Sequence, residues 1–125
     1  MLRFEISKSL DTQHIQFNIC IENVSLDLNK AIPCGLILNE LLTNAAKHAF
    51  KSGGTGQVDI TIGAHKQQVR LSVKDNGPGI PLEVRGAKGS LGLNIVNMLT
   101  EQLSGSVEIQ NENGAEVIVT FPQGD

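Results

Sequence analysis

The chain has 125 residues, of which 40% are hydrophobic and 18% charged, so it can bury one hydrophobic core, and we expect a single domain over residues 1–125. The formal net charge of -3 disfavours a protein that binds a nucleic-acid backbone, and four Phe with no Tyr or Trp disfavour one that stacks bases on aromatic rings. Two cysteines without metal-ligand spacing predict reduced structural thiols in a cytoplasmic protein, and the sequence has no apolar run approaching the ~20 residues of a membrane-spanning helix.

Alternating apolar and polar residues predict strands near the N-terminus. The first is short, from Leu2 to Ile6, and the second runs from His14 to Ile21 with one buried face. We expect a turn at Glu22-Asn23 and a further short strand from Val24 to Leu28. The chain therefore begins as β structure.

Helical periodicity replaces this alternation at Asn29, which we expect to cap a helix that has Pro33 in its first turn. The helix is predicted to continue from Cys34 to Phe50. Its apolar residues form a stripe with two flanking leucines: Ile37, Leu41, Ala45 and Ala49, with Leu38 and Leu42 beside them. The glycine-rich segment Lys51–Gly56 then predicts a loop.

Strands and one further helix are predicted for the second half of the chain. In chain order they are strands Val58–Ile62 and Val69–Val73 joined by a hairpin loop at Ala64–Gln68, a helix Leu91–Leu103 ended by Ser104-Gly105, and strands Val107–Gln110 and Glu116–Phe121. This order of elements favours an α+β fold, a two-layer α/β sandwich in which helices cover one face of a mixed sheet.

One face of the first helix combines residue types that suit phosphate and metal chemistry. Glu40, Asn44, Lys47 and His48 follow at i, i+4, i+7 and i+8, opposite the apolar stripe. An amide oxygen is a hard ligand for Mg²⁺, a cation and an imidazole can contact phosphate oxygens, and a carboxylate can accept a proton. A plain solvated helix face would carry the same residues, so this helix alone leaves both interpretations open.

Two glycine-containing segments suit other parts of a nucleotide. Asp75 leaves a strand just before Gly77 and Gly79, where its carboxylate can accept a hydrogen bond from an adenine amino group, although a tight turn uses the same residues. The segment Gly89–Val96 opens a helix whose N-terminal amides favour an anion, although a helix cap with an incidental Gly92 also explains it. In order along the chain, the motifs would supply metal binding and catalysis, adenine binding and phosphate binding.

This combination resembles the Bergerat-fold ATPases, the superfamily of gyrase B, heat-shock chaperone ATPases, histidine kinases and MutL proteins. The segment Asn39–Phe50 is similar to the N box of that superfamily, Asp75–Ile80 to its first glycine box and Gly89–Val96 to its second. Within the superfamily, Ile32–Phe50 and the closing Phe121-Pro122 resemble catalytic domains of sensor histidine kinases that have the second type of dimerisation helices. The resemblance implies a mixed sheet with about three helices, and ATP bound between the helical layer and a lid.

Roles in metal binding and catalysis follow from the resemblance for the N box. It implies that Asn44 ligates Mg²⁺ and that Lys47 and His48 contact the phosphates of ATP. Glu40 occupies the acidic position that acts as a base in the ATPase branch of the superfamily.

Roles in nucleotide binding follow for the glycine boxes. The resemblance implies that Asp75 binds the adenine amino group in a pocket shaped by Gly77 and Gly79. The residues implied to line the phosphate end are Gly89, Leu91 and Gly92.

The sequence departs from the family pattern in two places. The lid is short, from Pro81 to Lys88, and lacks a Phe-rich box, although Arg85 or Lys88 could reach a phosphate. Where the family has Gly-Thr near the C-terminus, this chain has Gly114-Ala115, so a hydroxyl that helps to fix adenine is missing. We therefore expect weaker adenine binding or a water in place of the hydroxyl.

The chain has no histidine in a position typical of a phosphoacceptor. His14 opens a strand, His48 lies in the N box and His65 lies in a predicted hairpin loop. The resemblance therefore implies a cytoplasmic catalytic domain, whose parent protein could be membrane-anchored, with ATP, a separate His-bearing dimerisation domain and a downstream response regulator as partners. Two alternatives remain: a stand-alone protein-serine kinase of the anti-sigma-factor type, and a degenerate, non-catalytic binding module with the same fold.

Overall fold

The computed structural model describes residues 2–10, 13–22, 24–45, 55–76, 91–110 and 114–124. These residues form six strands and two helices. In chain order they are β1 (Leu2–Leu10), β2 (Gln13–Glu22), α1 (Leu28–Asn44), β3 (Thr55–His65), β4 (Gln68–Asp75), α2 (Leu91–Gln102), β5 (Ser106–Gln110) and β6 (Glu116–Pro122). Neither described helix is long and apolar enough to cross a membrane.

All six strands belong to one sheet with the order β1-β2-β3-β4-β6-β5. Strands β2 and β3 are parallel, and every other neighbouring pair is antiparallel. Parallel neighbours need a crossover connection, and α1 supplies it because it lies between β2 and β3 in the chain. The mixed sheet expected from the sequence is therefore confirmed.

The core lies between one face of this sheet and the two helices. The sheet contributes alternate residues of three central strands: Val58, Ile60 and Ile62 of β3, Val69, Leu71 and Val73 of β4, and Val117, Val119 and Phe121 of β6. The predicted stripe of α1 packs against them through Ile37, Leu41 and Ala45, while Ala49 lies outside the described residues. The opposite face of the sheet is largely polar, so the predicted two-layer α+β sandwich is confirmed, with two helices in the described part of the chain.

The start of α1 differs from the prediction. Residues 24–27 form no regular secondary structure, and Asp27, not Asn29, caps the helix by accepting a hydrogen bond from the Lys30 N–H at 3.2 Å. Pro33 consequently lies in the second turn. The strand predicted over 24–28 was wrong, because Val24 and Leu26 pack against the core but pair with no strand among the described residues, and Leu28 begins the helix.

Pairing extends the strands beyond their predicted ends. Ala64 and His65 pair with Val69 and Gln68, so the loop expected over 64–68 shrinks to a two-residue turn at Lys66 and Gln67, which have φ values of 54° and 66°. At the other end of β3, Thr55 and Gly56 pair with β2 instead of belonging to the predicted loop. The sequence alone underestimates the length of such strands because a partner strand supplies part of their stability.

Helix α2 ends as predicted, at Ser104-Gly105. Ser104 has a φ of 59°, its N–H donates to the Glu101 carbonyl at 2.9 Å, and the Gly105 N–H donates to the Thr100 carbonyl at 2.9 Å, which is a Schellman motif. A Cβ on Gly105 would lie 2.3 Å from the Thr120 carbonyl oxygen. This glycine therefore allows the end of α2 to lie directly against β6.

Candidate functional site

Glu40 and Asn44 lie one turn apart near the end of α1, and both are half-buried. Asn44 follows the fully buried Ile37 by seven residues, nearly two full turns, so its side chain emerges beside the buried stripe. For these two residues the expectation of a polar face opposite the stripe was wrong, because they flank the core. At this rim an amide or a carboxylate interacts more strongly with a charged ligand than in bulk water.

Asp75 is a carboxylate at the end of a core strand. Along β4, Val69, Leu71 and Val73 point into the core, and Asp75 is the next residue on that face because side chains alternate along a strand. Its side chain is buried, with 7% of its surface exposed. A buried carboxylate needs hydrogen-bond partners.

The main chain of Ala115 holds Asp75 at two points. The Asp75 N–H donates to the Ala115 carbonyl at 2.9 Å, and Asp75 Oδ1 accepts from the Ala115 N–H at 3.3 Å. Gly114, with a φ of 115°, lies directly against the Asp75 carbonyl. Sequence reasoning noted only the missing hydroxyl at residue 115. A glycine just before a strand was the available signal, because such a position favours close approach of two backbones.

Asn76 connects the end of β4 to β3 through two hydrogen bonds. Its N–H donates to the Gln57 carbonyl at 3.2 Å, and its Oδ1 accepts from the Gln57 N–H at 2.9 Å. These bonds fix the backbone immediately after Asp75. The sequence around Asn76, between Asp75 and Gly77, predicts a turn, and an Asn in a turn can bond nearby backbone through its side chain.

The topology brings the ends of three elements to one end of the sandwich. The start of α1 lies at the opposite end of the sheet, where Lys30 Nζ donates to the Pro122 carbonyl at 2.9 Å. Because α1 then returns across parallel strands, its last residue, Asn44, lies near the start of β3. Asp75 lies at this same end, since it pairs with Val58.

The start of α2 lies at the same end of the sandwich as Asp75. The residues after this helix contact the far end of β6, where Gly105 lies against Thr120, so the helix begins toward the end of the sheet that carries Asp75. Leu91 and Gly92 are the first two residues of α2. The order of elements therefore gathers the described parts of all three sequence motifs around one end of the core.

Several predicted site residues lie outside the described part of the chain. They are Lys47, His48, Gly77, Gly79 and Gly89, together with the lid segment Pro81–Lys88. Those that the structure places are Glu40, Asn44 and Asp75 through their side chains and Leu91 and Gly92 through their backbone. The placed groups fit a nucleotide with a divalent cation, since they combine an amide oxygen, a buried carboxylate and the start of a helix.

Similarity to known proteins agrees with this geometry. A family model described as "Histidine kinase-, DNA gyrase B-, and HSP90-like ATPase" matches residues 29–125. The chain is 32% identical over 109 residues to blue-light-activated histidine kinase 2 of Erythrobacter litoralis, a match that covers 86% of this chain and 31% of that protein. It therefore spans about a third of the length of this relative. It is also 27% identical over 100 residues to the serine-protein kinase RsbW of Listeria innocua, covering 68% of this chain and 61% of RsbW.

Solved structures show the same fold. The blue-light activated histidine kinase of Erythrobacter litoralis EL346 superposes with a TM-score of 0.80 at 30% identity, covering 87% of this chain and 35% of that one. The catalytic domain of the histidine kinase ThkA superposes with a TM-score of 0.67 at 26% identity, covering 86% of this chain and 80% of that one. The second match extends over most of an isolated catalytic domain.

Proposed function

Because the chain belongs to the family of histidine kinase-, DNA gyrase B- and HSP90-like ATPases, we propose that it binds Mg-ATP as the catalytic domain of a two-component sensor histidine kinase. In this role it donates the γ-phosphoryl group of ATP to a histidine on a separate dimerisation domain, and a response regulator acts downstream. The domain, residues 1–125, works in the cytoplasm.

One observation carries this proposal: the end of α1, the end of β4 and the start of α2 meet at one end of the sandwich. We assign the adenine amino group to Asp75, whose carboxylate is buried and held by the Ala115 amide. The pocket around adenine is assigned to Gly77 and Gly79. The phosphate end is assigned to Gly89, Leu91 and Gly92, because the start of a helix favours an anion.

We assign the residues of the N box to binding the metal ion and to contacting the transferred phosphoryl group. The half-buried amide of Asn44 offers an oxygen ligand to Mg²⁺, and the cation would neutralise negative charge on the phosphates. Lys47 and His48 contact phosphate oxygens. Glu40, one turn before Asn44, accepts a proton from the attacking group.

The proposed reaction is an in-line displacement. A ring nitrogen of the acceptor imidazole forms a bond to the γ-phosphorus while the bond from that phosphorus to the bridging oxygen breaks, and ADP leaves with the electron pair. Catalysis of this kind depends on positioning and charge neutralisation, which the proposed site supplies. The acceptor histidine belongs to another domain, so we expect the isolated chain to bind Mg-ATP with little turnover.

Calorimetric titration tests the nucleotide site. We expect Mg-ATP to bind the wild-type chain, and Asp75→Asn to weaken binding by about tenfold to a hundredfold, because a hydrogen bond to a charged group contributes about 1.5–3 kcal/mol. Thr61→Ala, on the exposed polar face of β3, is the matched control and should leave binding unchanged. No heat of binding at millimolar Mg-ATP in the folded wild type would refute the proposal and would favour the non-catalytic binding module.

Phosphotransfer to a supplied acceptor tests the kinase assignment. Radiolabelled ATP should transfer its γ-phosphoryl group to the His-bearing dimerisation domain of the parent kinase, and an acceptor His→Gln variant should abolish the label. Label on acid-stable phosphoserine of a partner protein, with none on the dimerisation domain, would contradict it.

A protein-serine kinase of the anti-sigma-factor type is the second candidate. The similarity to RsbW supports it, at 27% identity over 100 residues. Acid stability of the product separates the two reactions, since phosphoserine survives acid that hydrolyses phosphohistidine.

A further inference from the structure

Gly114 lies against the backbone of Asp75 in a way that no other residue type allows. Its φ is 115°, a conformation that L side chains rarely adopt. A Cβ at this position would lie 2.0 Å from the Asp75 carbonyl oxygen, 2.9 Å from the Asp75 carbonyl carbon and 3.1 Å from the Asn76 Cα. All three atoms belong to the main chain, so a flexible side chain cannot move aside. Any substitution must therefore shift residue 114 relative to the end of β4.

This close approach changes how the two strands bond at their end. Regular pairing of β4 with β6 ends at Lys74 and Glu116. Beyond it, the Asp75 N–H still donates to the Ala115 carbonyl at 2.9 Å, but the Ala115 N–H donates to Asp75 Oδ1 at 3.3 Å. In a regular antiparallel pair that N–H would face the opposite main-chain carbonyl. The main-chain amide directly before β6 thus holds the carboxylate itself.

Both partners of this bond are almost fully buried, with 3% of Ala115 and 7% of Asp75 exposed. This amide directly precedes β6, whose pairing with β4 limits its movement, so the bond favours an orientation in which Asp75 Oδ1 faces Ala115. At 3.3 Å this bond is long for an N–H···O hydrogen bond, so its role is to orient the carboxylate and not to add much stability. The Ala115 amide therefore contributes to the direction in which Asp75 presents its acceptors.

We propose that Gly114, acting through the main-chain amide of Ala115, positions the Asp75 carboxylate and thereby sets the preference for a 6-amino purine over a 6-oxo purine. The inference rests on the proposed function, in which Asp75 accepts a hydrogen bond from the adenine amino group. An ionised carboxylate only accepts hydrogen bonds, so it repels the acceptor oxygen of a 6-oxo purine when the carboxylate is correctly aimed. A misaligned carboxylate loses this discrimination. Gly114 is a positioning residue, since it acts through other groups.

The test compares the affinities of Mg-ATP and Mg-ITP by calorimetry in the wild type and in Gly114→Ala. We expect Gly114→Ala to reduce the ratio of the two affinities by about tenfold, as expected when a hydrogen bond to a charged group is lost. In an Asp75→Ala background, which has no acceptor for the Ala115 N–H, adding Gly114→Ala should change the ratio no further, because the bond is already absent. An unchanged ratio in folded Gly114→Ala, or additive effects in the double variant, would overturn the proposal.

Gly105→Ala is the matched control. It introduces a comparable clash, 2.3 Å from the Thr120 carbonyl oxygen, at the opposite end of β6. It should lower the thermal midpoint without changing the ATP-to-ITP ratio. A control that changes this ratio as much as Gly114→Ala would show that general destabilisation explains the effect and would overturn the proposal.

If Gly114→Ala does not fold, the bond between the Ala115 amide and Asp75 can be tested in protein that retains Gly114. The measurement is the nuclear magnetic resonance signal of the Ala115 amide. We expect this signal to shift in Asp75→Asn and on addition of Mg-ATP, whereas an unmoved signal in Asp75→Asn would refute the bond. If the folded wild type binds neither nucleotide, the proposed function fails. If it binds both and only the Gly114 effect is missing, this inference alone fails.

Discussion

Residue 115 is Ala where the resemblance to the family predicts Thr, so a hydroxyl is missing beside the proposed site. Ala115 is 3% exposed and directly adjoins Asp75. We expect Ala115→Thr to bind Mg-ATP about two to ten times more tightly, because one added hydrogen bond contributes about 0.5–1.5 kcal/mol. Ala115→Val matches the shape of threonine without its hydroxyl and should give no gain. Equal calorimetric affinities for the two variants would contradict a role for the hydroxyl.

At the residue scale, local chemistry predicts Asp75 but not its surroundings. The sequence shows a carboxylate that leaves a strand before a glycine-rich turn, which is enough to propose a site residue. Its partner, Ala115, lies 40 residues away in the chain. That contact depends on β4 and β6 being neighbours in the sheet, which no local pattern specifies.

Burial determines the reactivity of the Cys34 thiol. Only 7% of its surface is exposed, and desolvation raises the pKa of its thiol above the usual value of 9.0. The thiolate is the reactive form, so in Cys20→Ser we expect iodoacetamide at pH 8 to modify Cys34 only after denaturation. Rapid alkylation in the folded variant would contradict this prediction, and Cys34→Ser, which retains Cys20, is the control.

The same shift in pKa predicts how stability depends on pH. A thiol whose pKa is higher in the folded state contributes stability that is fully present below the unfolded-state pKa and is lost as pH rises through the folded-state pKa. The contribution of Cys34 should therefore decrease above about pH 9. Urea unfolding of Cys20→Ser and of the double variant lacking both thiols, at pH 7 and pH 10, measures this difference.

At the element scale, helix α1 begins where a carboxylate can cap it. Asp27 Oδ1 accepts from the Lys30 N–H at 3.2 Å, which satisfies one of the amides left unpaired at a helix start. We expect Asp27→Ala to lower the free energy of unfolding by about 1 kcal/mol, and Asp27→Asn, which keeps the capping oxygen, to lower it by a few tenths. Urea unfolding measures both variants, and equal losses would show that charge, not capping, is responsible.

Elements were predicted well where one face is buried and poorly where a partner strand or a cap decides the boundary. The apolar stripe of α1 reflects burial, and Ile37 and Leu41 occupy the core as its spacing predicts. The sequence predicted Asn29 as the start of that helix, whereas Asp27 caps it, and both residue types cap helices well. Val24 and Leu26 alternate like a strand, yet the alternation reflects packing on the core, and in the described part of the chain these residues pair with no strand.

At the scale of the whole molecule, the proposed site joins elements that are distant in the sequence. Asn44 ends α1, Asp75 ends β4, and Leu91 starts α2, so a ligand that contacts all three links both layers of the sandwich. The sequence predicts the three motifs and the two layers. It does not predict which ends meet, since this depends on the parallel pairing of β2 with β3 and on the return path of α1.

Binding of Mg-ATP at the proposed site should be linked to the thermal stability of the chain. A ligand that binds only the folded state stabilises it by about 2.7 kcal/mol at one hundred times its dissociation constant. We expect Mg-ATP to raise the thermal midpoint of the wild type, and EDTA to remove the part of the shift that depends on the cation. Asn44→Ala should lose this metal-dependent part and Asp75→Asn most of the whole shift, whereas Thr61→Ala, on the exposed face of the sheet, should keep it in full. A shift of equal size in all four proteins would mean that Mg-ATP stabilises the chain elsewhere, because binding at the gathered ends of α1, β4 and α2 requires the amide and the carboxylate that two of the variants lack.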